Sequence, residues 1–198
     1  MLFTLVILLS GALQLLPWLR REAPRVHRWN GRLFLGSALL MSPGGLWMLA
    51  TRCTIGSVPQ KLAIAVNALL IGVFAGLASR LAMARRFDLH RRWALRLWLV
   101  VGGVWFFRIG LMAWVVANQG PAGFDPRTFS EPFLSFLAFA QFLLPLALLQ
   151  SYFAAQRSRS AAPRLAMAGV LGVATLLTAA GIGAATMLMW LPPLQAWL

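Results

Sequence analysis

The sequence predicts an all-α membrane protein, a bundle of about six transmembrane helices. Three observations predict it. Of the 198 residues 60% are hydrophobic, and only four are acidic: Glu22, Asp88, Asp125 and Glu131. The apolar residues are also gathered into runs of roughly twenty, the length that crosses about 30 Å of hydrocarbon at 1.5 Å per helical residue. Soluble domains do not have this composition.

Six runs can be marked, at about 2–19, 32–51, 60–83, 93–117, 132–154 and 165–191. The first carries no charge before Arg20 and Arg21, the reverse of a signal peptide, so it is expected to stay as a helix. The second contains Pro43, Gly44 and Gly45, the one hint of a broken helix. The third carries Gly72 and Gly76, and the fourth carries Gly102, Gly103, Gly110 and one arginine, Arg108. After it comes NQGPAGFDPRTFSE (118–131), which Pro121, Gly123 and Pro126 make a loop. The fifth run holds Gln141 and Pro145, and the sixth holds Gly169, Gly172, Gly181 and Gly183. These glycines are expected to mark faces where helices pack closely. No run alternates with period two, so a membrane β-barrel is excluded and closed helices must satisfy the backbone. The whole chain, 1–198, reads as a single transmembrane domain.

The net charge of +14 does not point to nucleic acid, because the basic residues sit between apolar runs and form no stripe on a soluble fold. Fourteen of the eighteen flank the first, third and fifth connections. By the positive-inside rule those loops are cytoplasmic and both termini face out, N-out/C-out. The expected location is a bacterial inner membrane, multi-pass. The expected partners are the bilayer, with anionic lipid at the cytoplasmic face, and other membrane subunits, but no nucleic acid. Cys53 is the only cysteine, which excludes an intrachain disulfide and any multi-cysteine metal site.

The two histidines stand in related surroundings: HRWNGRL at 27–33 and HRRWALRL at 90–97. In each, histidine is followed by arginine, tryptophan, arginine and leucine where a connection enters a helix. This reads as a degenerate parallel repeat of hairpins 1–2 and 3–4 that puts His27 and His90 at one membrane face. Together with Gln14, PRVHRWNGRLF, RFDLHRRWALR and Arg108, these motifs resemble the predicted bacterial multi-pass membrane proteins of domain-of-unknown-function family 2306 over about residues 14–108. Phe34 stands where that family tends to tyrosine, and Ala94, Leu97 and Trp98 depart from it too. The resemblance implies a membrane bundle, with a further helix often found upstream, and no particular chemistry.

Arg108 is the clearest ionisable residue inside a run, about 22 Å along its helix at 1.5 Å per residue. Such a guanidinium either snorkels, here toward Glu131 or Asp125, or serves a ligand. The leading reading is a protein that binds a lipid, quinone or small amphiphile between helices. Arg108 would grip its polar group beside Trp105, within reach of Gln14, Asn67 and Gln141, which otherwise bond helix to helix. The alternative is an electron-transfer protein with one b-type haem ligated by His27 and His90, its propionates held by Arg28, Arg32, Arg91 or Arg96. Against it stands the position of both histidines at the membrane edge, where they equally serve as interfacial anchors. A small transporter is a third reading, for which inverted repeats and broken helices would be expected. A metal site of His27, His90 and Asp88 ranks last, because six arginines around that loop repel a dication. No nucleophile motif, phosphate loop or carboxylate pair occurs, and Ser10, Ser37 and Ser42 read as packing residues.

Overall fold

The structure, a computed structural model, describes residues 2–51, 56–126, 129 and 132–191, with side chains from Val6 onward. Among the described residues there are eight α-helices and no strand. They are α1 (Leu2–Leu15), α2 (Pro17–Glu22), α3 (Pro24–Thr51), α4 (Val58–Met83), α5 (Phe87–Val101), α6 (Gly103–Ala117), α7 (Pro132–Arg157) and α8 (Ala162–Ala185). A π-helical turn, Thr186–Trp190, carries α8 on.

Four of these are long and apolar enough to cross a membrane: α3, α4, α7 and α8 with its π turn. The pair α5 and α6, which breaks at Gly102, counts as a fifth candidate if it is one broken span and not a re-entrant loop. The chain is therefore all-helical with four or five candidate spans, and the first expected run is only the 14-residue α1. Pro17 accounts for that. It occupies the first position of α2, and Leu16 before it is extended at φ −72° and ψ 114°, as a residue preceding proline prefers.

Two further expectations are corrected. Helix α3 runs unbroken through Pro43, Gly44 and Gly45, so the break falls instead at Gly102 and Gly103, where adjacent glycines give least support to a helix. Helices α3 and α5 also begin at Pro24 and Phe87, well before the apolar runs, so both histidines lie inside helices.

The chain forms two compact units. Unit one comprises Met1–Thr54 and Ile64–Gly102, hence α1, α2, α3, most of α4, and α5. Its core includes Phe34, Ala38, Phe74, Ala75, Ala78, Leu97 and Val100. Side-chain amides and hydroxyls tie its helices: Asn30 donates to the Ser10 carbonyl at 2.8 Å and Ser42 to the Ala68 carbonyl at 2.6 Å. Gly11 admits Trp98, whose indole would lie 2.9 Å from any Cβ placed there.

Unit two comprises Ile55–Ala63 and Gly103–Leu198. Leu111, Phe124 and Leu134 form a buried cluster, with Phe107 and Phe133 packed on it. Trp114 stacks on Phe133 at 4.3 Å and donates its indole N–H to the Ala122 carbonyl at 2.8 Å, so the loop after α6 is fastened by its own helix. That loop lies where the turn residues put it, between Ala117 and Pro132. Gly110 meets the Leu137 side chain, and Gly181 lies against the Ile109 carbonyl.

Five of the other glycines expected at packing faces do not serve that purpose among the described residues. A Cβ on Gly72, Gly76, Gly169, Gly172 or Gly183 would meet nothing within 4 Å. Small residues at helical spacing show that a close approach is permitted. They do not show which side of the helix a neighbour occupies.

Candidate functional site

The Arg-rich end of unit one gathers most of the candidate residues. His27 is the fourth residue of α3 and His90 the fourth of α5, so the two motifs enter their helices in the same register. Both imidazoles are half-buried. The surroundings that act on His27 are burial first, then Arg20 of α2 and His90. Arg20, on the short helix α2, has no counterpart in the paired motifs and was not singled out by the sequence.

Each histidine is held differently. His90 donates its Nδ1 proton to the Ala78 carbonyl of α4 at 2.8 Å, which fixes the ring and, in the neutral imidazole, puts the lone pair on Nε2. At His27 it is the backbone that is held, because Gln14 donates its amide to the His27 carbonyl at 2.8 Å. The His27 Nδ1 is buried and has no hydrogen-bond partner among the described residues. An uncompensated buried polar atom costs about 1–3 kcal/mol.

The arginines of the two motifs pack alike. Arg32 lies over the Trp29 ring at 5.0 Å and Arg96 over the Trp93 ring at 4.7 Å, and Trp93 in turn meets Phe74 at 5.3 Å. Arg96 also donates to the Arg92 carbonyl at 3.3 Å. At about 100° per residue, Arg28 and Arg32 stand roughly 100° and 140° around α3 from His27. Arg91 and Arg96 stand about 100° and 120° around α5 from His90. Instead, Arg25, Arg28, Trp29 and Arg32 border an open cavity of about 430 Å³ on the exposed side of α3.

The proposed cradle around Arg108 is distributed as follows. Arg108 and Trp105 share α6, three residues apart and both half-buried. Arg108 makes no hydrogen bond or ion pair with any described residue, and Glu131 lies outside them. Gln141, buried on α7, donates to the Ala138 carbonyl at 2.8 Å. Gln14 and Asn67 belong to unit one, where Gln14 bonds the His27 carbonyl and Asn67 the Val100 carbonyl at 3.2 Å. All three amide groups are thus engaged by backbone, and the Asn67 Oδ1 is buried without a partner among the described residues. Ser42 and Ser10 are likewise buried and bonded to backbone carbonyls. Cys53 lies outside the described residues.

Long apolar helices with exposed leucines, valines and tryptophans along their lengths define a multi-pass integral membrane protein. The chain belongs to the family of predicted membrane proteins DUF2306, whose profile matches residues 1–126. No curated protein and no solved structure matches the chain.

Proposed function

We propose that the chain is a membrane electron-transfer protein in which His27 and His90 ligate one b-type haem at the Arg-rich, cytoplasmic end of unit one. The observation that carries this reading is the state of the two rings. His90 is oriented by the Ala78 carbonyl with Nε2 free, the arrangement in which a ligating imidazole is usually held, and His27 stands within its electrostatic reach with a buried, unpartnered nitrogen. A bare metal ion is poorly served here. Among the described residues no three ligating side chains come together, whereas porphyrin iron needs only two from the protein. The haem would supply one-electron chemistry. The chain's own part would be to orient two imidazoles and to set a cationic environment, with Arg20, which acts on His27, as one opposite charge for a propionate.

The test is an absorption spectrum of protein purified from its native membrane in mild detergent, oxidised and then dithionite-reduced, beside the single variants His27→Ala and His90→Ala. A Soret band with a reducible α-band that either variant abolishes is the expected result. A featureless spectrum at adequate protein concentration discards the haem.

A second reading rests on Arg108. A half-buried guanidinium with no partner among the described residues, one turn from Trp105, suits the acidic or carbonyl group of a lipid, quinone or small amphiphile. Co-purified lipids and quinones extracted from wild type and Arg108→Leu protein distinguish this. An identical extract removes the reading.

A further inference from the structure

From the outward side of α3 we infer a specific site for an anionic phospholipid. One face of the helix carries, in order, Arg25, Trp29, Arg32, Gly36, Leu40, Pro43 and Trp47. At about 100° per residue these seven fall within some 80° of one another, with Arg28 about 40° beside them. All are exposed. Trp29, Leu40 and Trp47 are each more than two-thirds exposed.

The top of this face is built for phosphate. Arg25, Arg28 and Arg32 converge on the cavity of about 430 Å³, with Trp29 as its fourth wall. Arg32 is steadied against the Trp29 ring at 5.0 Å, so part of its freedom is already spent before a ligand arrives. No aspartate or glutamate occurs anywhere in α3 to compete for the three guanidiniums. Guanidinium groups take phosphate oxygens in pairs, which distinguishes such a cradle from a merely positive surface.

Below the cradle the face turns apolar, and at Gly36 it carries no side chain: among the described residues nothing lies within 4 Å of a Cβ placed there. Leu40 and Pro43 continue the strip to Trp47. A phosphate seated among the arginines therefore has its acyl chain led along a helix, past Gly36, toward the far aromatic residue. A free phosphate ion would use only the upper half. The occupant is an anionic phospholipid, recognised by charge at one end and by an apolar strip at the other. Unlike the histidine pair, this site lies on the side of α3 turned away from His27.

The experiment is native mass spectrometry of the full chain in mild detergent, titrated with phosphatidylglycerol or phosphatidylcholine. Three proteins are compared: wild type, Arg25→Gln with Arg28→Gln and Arg32→Gln, and Arg157→Gln with Arg159→Gln and Arg164→Gln. The last loses the same charge from another connection. Wild type and the second triple variant are expected to retain phosphatidylglycerol over phosphatidylcholine, and the first to bind it about tenfold or more weakly. Equal weakening in both triple variants means annular attraction only and overturns the site. Should the first triple variant fail to fold, Gly36→Leu adds a side chain where the structure has open space, and it is expected to weaken phosphatidylglycerol without touching charge. No change with Gly36→Leu, or full displacement of the lipid by inorganic phosphate, also overturns the proposal.

Discussion

A side-chain carbon added to Gly181 would lie 2.9 Å from the carbonyl oxygen of Ile109, so α8 crosses α6 at a distance only hydrogen permits. The other glycines of α8 have no such neighbour. Gly181→Leu is therefore expected to lower stability by about 1–3 kcal/mol, the usual cost of overpacking, while Gly169→Leu leaves it nearly unchanged. Thermal unfolding of both variants in one detergent checks this. Equal melting temperatures would show that α6 and α8 do not pack through Gly181.

Ser42 and Asn67 both cross between helices, yet they should respond differently to removal. The Ser42 hydroxyl makes a short bond to the Ala68 carbonyl, and Ser42→Ala should cost about 0.6–1.5 kcal/mol, as for interhelical bonds in membranes. Asn67 gains one longer bond and leaves its Oδ1 buried without a partner among the described residues. Asn67→Ala relieves the second while losing the first, so its cost should be the smaller of the two. Chemical denaturation of the two variants ranks them, and the opposite order contradicts the assignment.

Two helices end on left-handed residues other than glycine. Arg85 after α4 (φ 56°) and Gln119 after α6 (φ 55°) each sit inside a paired 6→1 and 5→2 hydrogen-bond cap. Gln119→Gly removes the steric penalty of that conformation and should stabilise the protein by about 1 kcal/mol. A lower melting temperature for this variant would mean that the Gln119 side chain contributes more than its backbone strain costs.

The orientation reading predicts opposite labelling of two connections. In a Cys53→Ser background, Gln119→Cys should react with a membrane-impermeant maleimide in intact cells, and Ser158→Cys only after permeabilisation. The reverse pattern would invert the topology and move the histidine pair to the outer surface.

Hydropathy made part of the fold legible, and for a physical reason. Apolar length is what a bilayer selects, so the bounds of α4 and α7 and the loop between Ala117 and Pro132 could be placed within a few residues. The starts of α3 and α5 could not. Arg25, His27 and Arg28, like Asp88, Arg91 and Arg92, look like connection to an apolar window, although a charged helical turn at an interface is entirely stable. The related surroundings of His27 and His90 were legible in the sequence, and each histidine is the fourth residue of its helix. Arg20 was not legible, because it stands outside the paired motifs, on the helix before α3, and the turn at Ala23 that decides its approach to the ring has no signature in the motif. Likewise Gln14, Asn67 and Gln141 were visible as polar atoms in greasy runs, but only the packing shows that backbone carbonyls take their protons.

Trp29 and Trp47 share one exposed face of α3, eighteen residues and thus about 27 Å apart along the helix. Indoles settle at the boundary between headgroups and acyl chains, so this spacing acts as a ruler. In a bilayer whose core is near that thickness, α3 stands upright with both rings at rest. A thicker, sterol-stiffened bilayer would have to thin around the helix to keep both rings at its boundaries, and a thinner one would force the helix to tilt. The same pair of side chains thereby gives the protein a preferred membrane to reside in, independent of any ligand it carries.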